Sequence, residues 1–246
     1  MKKKKIFKRI CLGIGIVLVF LVVLYVFFIN AIQENATVLE QEFAHIEELV
    51  ERDTIDYDRV YYYTDRTVLD GTFGELERAT KNYIRDVYQE LEGLEKIVSS
   101  SEFQGLLSAN AILEDGPLFV DSQAYVEQTR KDLEQKKETM LSLLEQDKIM
   151  EYFDDIQGFF AESIKEELEK SITDDFQATK EDVELLIDTL DDYLALVSNT
   201  MTFLTNHQDS WELEGEYISF ATDELYNTYE AFIARINELS YQLNSI

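Results

Sequence analysis

The sequence predicts an all-α protein: a single N-terminal transmembrane helix followed by an elongated antiparallel helical bundle, with at most a tiny hairpin near 211–220. Three observations carry this expectation. Residues Ile10 to Ile29 run for twenty positions without a charge. Beyond them, apolar residues recur at alternating spacings of four and three, the pattern of a helix with one buried face. A single proline, Pro117, and nine glycines leave little to interrupt long helices.

The segment ICLGIGIVLVFLVVLYVFFI, at about 1.5 Å per residue, covers roughly the 30 Å of a bilayer's hydrocarbon core. With its flank it defines a span at 10–32. The preceding MKKKKIFKR holds six basic residues and no acid, whereas AIQENATVLEQEF on the other side is net acidic. The positive-inside rule therefore predicts a cytoplasmic tail at 1–9 and an extracytoplasmic body, in a cell membrane protein of single-pass topology. A cleavable signal peptide has a shorter apolar stretch, roughly 7–15 residues, ending at a small-x-small site. Phe28-Ile29-Asn30-Ala31 fits that poorly, so the helix is expected to stay as a signal-anchor. Cys11, the only cysteine, lies inside the span, so the body is expected to hold together through its core alone.

Charge narrows the partners. The chain has 50 acidic and 22 basic residues, and from Ile10 onward only 16 of the basic ones remain. Such a body repels nucleic acid and anionic lipid surfaces alike. Its 46% apolar content argues against intrinsic disorder.

The body divides, on sequence, into a stalk helix plus first helical subdomain at 33–116 and a C-terminal bundle at 117–246. Ile32, Ala36, Leu39, Phe43, Ile46 and Val50 form one stripe, so the stalk is expected to run straight from the membrane to about Asp53. Residues 52–71, with RVYYYTDRTVLDG, are the least regular stretch. Thr72-Phe73-Gly74-Glu75 fits a capping box for a helix whose face carries Leu76, Thr80, Tyr83, Val87, Leu91, Leu94 and Val98. Ser99 to Ser101 can stop it, with a short helix in EFQGLLSANAILE after it.

Asp115-Gly116-Pro117 reads as a turn and as the subdomain boundary. Asp121 or Ser122 can cap a following helix through Gln146. A further section places Ile149, Phe153, Ile156, Phe160, Ile164, Leu168 and Ile172 in register, with Gly158 inside it; one bent helix and two helices both fit. The strongest periodicity follows: Val183, Ile187, Leu190, Leu194, Val197, Met201 and Leu204, then Leu225, Tyr229, Phe232, Ile236, Leu239, Leu243 and Ile246. Two such helices joined by SWELEGEYISF are expected to pair antiparallel, with Trp211 plugging one end of the bundle.

Chemistry is hard to find. His45 and His207 sit outside any metal-ligand spacing, and there is no phosphate loop or nucleophile elbow. The pairs Asp154-Asp155, Asp174-Asp175 and Asp191-Asp192 are ordinary in so acidic a chain. Asp53, Asp56 and Asp58 lack the Gly and distal Glu of a calcium loop. No catalytic, cofactor-binding or metal-ligating residue is therefore expected, and no enzyme. The candidate contact residues are Tyr61, Tyr62 and Tyr63, which cannot all face one core, together with Trp211, Phe43 and Ile46. The expected function is that of an interaction or structural module of the cell envelope, contacting another envelope protein or itself. The alternative is a sensor-like ectodomain that binds a small ligand and signals laterally through a membrane partner.

Overall fold

The computed structural model describes residues 33–50, 52, 55–158, 161–171 and 176–245. The expected transmembrane helix at 10–32 lies outside them, as do Asp53, Phe160, Ile172, Asp174, Asp175 and Ile246. Among the described residues no helix is long and apolar enough to cross a membrane. These residues are mostly helical, with one antiparallel two-stranded hairpin. They fold into two compact units. The C-terminal unit holds residues 93–137 and those from Leu185 onward; the N-terminal unit holds the described residues up to Glu92 and residues 138–184.

In the N-terminal unit, α1 (Gln33–Val50) buries Leu39, Phe43, Ile46 and Leu49. Within the stretch expected to be irregular lies a helix, α2 (Tyr57–Asp65), whose first turn is capped by the Asp56 carboxylate accepting from the Arg59 amide; residues 66–70 carry no regular structure. Tyrosine is only mildly unfavourable in a helix, so a cap and a packing surface suffice. Next comes α3 (Gly71–Ser99), where burial is broader than the stripe at four-three spacing: Leu76, Ala79, Tyr83, Ile84, Val87, Tyr88 and Leu91 are all buried.

The expected capping box at Thr72–Glu75 is not what those side chains do. Thr72 Oγ1 donates to the Gln157 carbonyl at 2.9 Å, and Glu75 Oε2 accepts from the Gln157 amide at 2.9 Å. One turn of α3 thus grips a single distant residue by its backbone. That residue precedes Gly158, whose φ of +114° belongs to glycine alone. Gly158 accordingly lies at a bend outside the helices rather than inside one. The section after 121 is three helices, α6 (Val120–Leu143), α7 (Gln146–Glu151) and α8 (Ala161–Ser171), so neither one helix nor two describes it.

In the C-terminal unit, two short helices, α4 (Ser101–Gly105) and α5 (Ala109–Asp115), carry serine caps: the Ser100 and Ser108 hydroxyls accept from the Phe103 and Ala111 amides. Neither Asp121 nor Ser122 caps α6. Asp115 reaches across the Gly116-Pro117 turn instead, and its carboxylate accepts from the Ser122 amide at 2.7 Å and the Asp121 amide at 3.2 Å. Burial pushes the Asp115 carboxyl up, but these amides outweigh it and hold it below the usual range.

Helix α9 (Gln177–Asn206) bears out the strongest periodicity. All seven seam residues from Val183 to Leu204 are at most 1% exposed. Within the unit, Phe103 stacks on Tyr193 at 5.4 Å, and Val126 and Leu133 of α6 are buried. A 3-10 turn (Gln208–Ser210) leads into the hairpin of β1 (Trp211–Glu214) and β2 (Tyr217–Phe220), with Trp211 paired to Phe220 and Glu214 to Tyr217. Gly215, at φ +68°, takes the first central position of its two-residue turn, where a primed turn needs glycine. The final helix, α10 (Asp223–Ser245), buries Ile236 and Leu239 and half-buries Leu225, Tyr229 and Phe232.

Candidate functional site

The most concentrated chemistry in the N-terminal unit is a buried charge network. Lys81 is fully buried, and its ammonium donates to Glu77 Oε1 at 2.6 Å, Glu42 Oε2 at 3.2 Å and the Arg66 carbonyl at 3.0 Å. Arg66 closes the ring with a two-pronged grip on Glu42, at 2.5 and 3.1 Å. Glu77, also fully buried, accepts from the Val68 and Leu69 amides as well. Two cations meet two carboxylates, and three acceptors take the three N–H groups the ammonium offers. Desolvation and Coulomb attraction roughly cancel in such a set, but removing one partner strands a buried charge.

The network has a structural consequence that no sequence motif announces. Glu42 belongs to α1, Arg66 follows α2, and Glu77 and Lys81 belong to α3. Four side chains therefore tie three successive segments together. The i,i+4 spacing of Glu77 and Lys81 was the one available signal, and it is indistinguishable from a surface pair.

The three tyrosines fan out around α2, as successive residues on a helix must. Tyr62 is 61% exposed, whereas Tyr61 and Tyr63 are half-buried. Tyr61 donates to Glu92 Oε2 at 2.8 Å, and burial followed by that carboxylate pushes its hydroxyl well above the ordinary tyrosine value. The Arg66 guanidinium stands 5.1 Å from the Tyr62 ring centre and 4.6 Å from that of Tyr63, and the His45 ring lies 5.4 Å from that of Tyr63. The aromatics and Arg66 thus form one outward-facing cluster beside the buried network.

Phe43 and Ile46 stand apart from it. At 8% and 1% exposure they are core side chains of the N-terminal unit, and a partner reaching them would have to displace that packing. In the same unit, Tyr83 is buried edge-on to Tyr152, and its hydroxyl has no hydrogen-bond partner among the described residues.

In the C-terminal unit Trp211 is half-buried, with Nε1 donating to the Leu204 carbonyl at 2.8 Å. On the adjacent residue, Thr205 Oγ1 donates to the Pro117 carbonyl at 2.9 Å. His207 packs on Phe203 at 4.6 Å and hydrogen-bonds its carbonyl. The start of α6 opens as a groove of about 470 Å³, lined by residues including Leu118, Phe119, Val120, Gln123, Arg130 and Ser198. Its lip was missed at the level of sequence because it depends on one unusual backbone angle: Phe119 has φ +52°.

Among the described residues, no group of three or more His, Cys, Asp or Glu side chains is arranged to hold a metal ion. Comparison with protein-family models, with characterised proteins and with solved structures gave no match.

Proposed function

We propose that the protein is a membrane-anchored interaction module of the cell envelope, with residues 1–9 in the cytoplasm, 10–32 spanning the bilayer and the acidic body outside. The observation that carries this reading is the Glu42–Arg66–Glu77–Lys81 network. Only Asn30, Ala31 and Ile32 separate the apolar segment from α1 in sequence. An anchor-proximal helix welded into a folded unit by buried ion pairs makes a fixed support rather than a loose tether. A loose tether suits a free-ranging enzyme; a fixed support suits a body that must present a surface at a set place. The exposed Tyr62–Arg66 cluster on that same unit is the kind of aromatic and arginine surface that protein contacts favour.

The test is capture of the tagged full-length protein from crosslinked native membranes. A reproducible membrane protein partner, lost when the body is deleted and weakened by Tyr62→Ala, is the expected result. Recovery of neither a partner nor crosslinked copies of the chain itself overturns the reading.

A further inference from the structure

The groove at the start of α6 has features that the anchor and the buried network leave unexplained. At φ +52° Phe119 adopts a left-handed backbone that a bulky residue rarely takes, and its side chain is fully buried. That one angle drives Phe119 inward and leaves its neighbours facing solvent. Leu118 is 58% exposed and Val120 63%. One turn upstream, Leu113 of α5 is exposed as well. Large aliphatic side chains held outward by a strained residue at the mouth of a groove are an arrangement that calls for an occupant.

Electrostatics decides which occupant. The amide-rich start of α6 would ordinarily attract an anion, but the Asp115 carboxylate already takes the Asp121 and Ser122 amides. The groove's cation, Arg130, is held by both oxygens of Asp191, at 2.6 and 2.8 Å. Glu127 lines the groove as well, Asp191 and Asp192 both act on Arg130, and the next cation along the helix, Lys131, is itself paired with Glu127 at 2.6 Å. An anionic lipid surface is repelled by such a site. A second copy of this acidic body is repelled as well.

We infer that the groove formed by Leu118, Val120 and the start of α6 is a docking site for an amphipathic segment of a partner protein, one with lysine or arginine beside aliphatic side chains. The aliphatic residues of the segment cover Leu118 and Val120, and its cations meet the carboxylate rim. This deepens the interaction-module reading and rests on it for biological meaning, but binding at the groove can be measured without it.

The test uses the full-length protein in nanodiscs of zwitterionic lipid and a fluorescent synthetic Leu–Lys amphipathic peptide. The expected anisotropy titration saturates, weakens at least tenfold in Leu118→Ser/Val120→Ser, and is unchanged in Leu185→Ser, a control for an exposed leucine elsewhere in the C-terminal unit. Affinity falls as salt is raised, and a Leu–Glu peptide does not bind. Because a double variant can perturb its own surroundings, a photo-crosslinker at Leu118→Cys gives a second measure. It is expected to label the Leu–Lys peptide, and the same probe at Leu185→Cys is not. Equal binding by the double variant and the wild type, equal labelling from both positions, or preference for the Leu–Glu peptide overturns the proposal. So does self-association that Leu118→Ser/Val120→Ser abolishes, which would make a second copy the occupant. Failure of membrane capture together with a positive titration would overturn the envelope reading while leaving the docking site standing.

Discussion

The two units solve the problem of a core differently. Around α9 the C-terminal unit is aliphatic: Ile187, Leu190, Leu194, Val197, Met201 and Leu204 are essentially buried, and its buried polar side chains are uncharged threonines, of which Thr189 and Thr200 donate to carbonyls of their own helix. The N-terminal unit places Lys81 and Glu77 at zero exposure among Tyr83, Ile84 and Tyr88. An aliphatic seam is non-directional and tolerant, so it stabilises without specifying much. A charge network with every donor placed is demanding, and accepts only one register of α1 against α3. The difference suggests a division of labour: one unit built on packing, the other on positioning.

Lys81→Met is the sharpest way to break that contrast. It leaves Glu42 and Glu77 without their buried cation and is expected to cost about 3–5 kcal/mol. Hydrogen exchange of the full chain should localise the loss to α1 and α3. Equal loosening of the α9 amides would show instead that the two regions open as one.

Leu194→Ala probes the other side. Leu194 is fully buried, and its truncation is expected to cost about 2–5 kcal/mol through lost transfer energy and a cavity. Its exchange signature should be the mirror image, with α9 amides accelerated and α3 amides spared. A cost well under 1 kcal/mol in denaturant unfolding would mean the seam repacks freely.

Asp115→Ala removes the long-range cap of α6 and is expected to cost about 1 kcal/mol at neutral pH. The Asp115 carboxyl is held below its ordinary value in the folded protein, so its contribution is present above the unfolded carboxylate range and fades as pH falls through the folded pKa. Wild type and variant should therefore converge in strongly acidic solution. A gap that stays constant with pH would assign the cap to shape rather than charge.

The smallest effect is expected from Arg130→Ala. The Arg130–Asp191 pair is geometrically good but substantially exposed, which limits it to about 0–1 kcal/mol, less at high salt. A larger loss in thermal unfolding, insensitive to salt, would show that the packing of the arginine stem matters more than its charge.

Legibility followed the same contrast. The α9 seam was readable residue by residue, because burial of apolar groups at four-three spacing leaves a one-dimensional trace. The hairpin was readable from Glu214-Gly215, and the serine stop after α3 from Ser99 to Ser101. The helix at 57–65 was not, because nothing in YDRVYYYTD is periodic enough to outweigh its weak propensity. The grip of Thr72 and Glu75 on Gln157, the reach of Asp115 to Ser122 and the inward turn of Phe119 were hidden for another reason. Each joins residues whose relation is set by the path of the chain and not by their spacing.

By itself, then, the sequence determined the helical class, the hairpin, the aliphatic seam and the acidic surface that limits what can bind. The tertiary structure decided which charges are buried and which aliphatic side chains are left in solvent. Hydrophobic periodicity is a property of one helix and is written along it. The fate of a charge depends on what three segments bring to the same point, and that is known only once they have met.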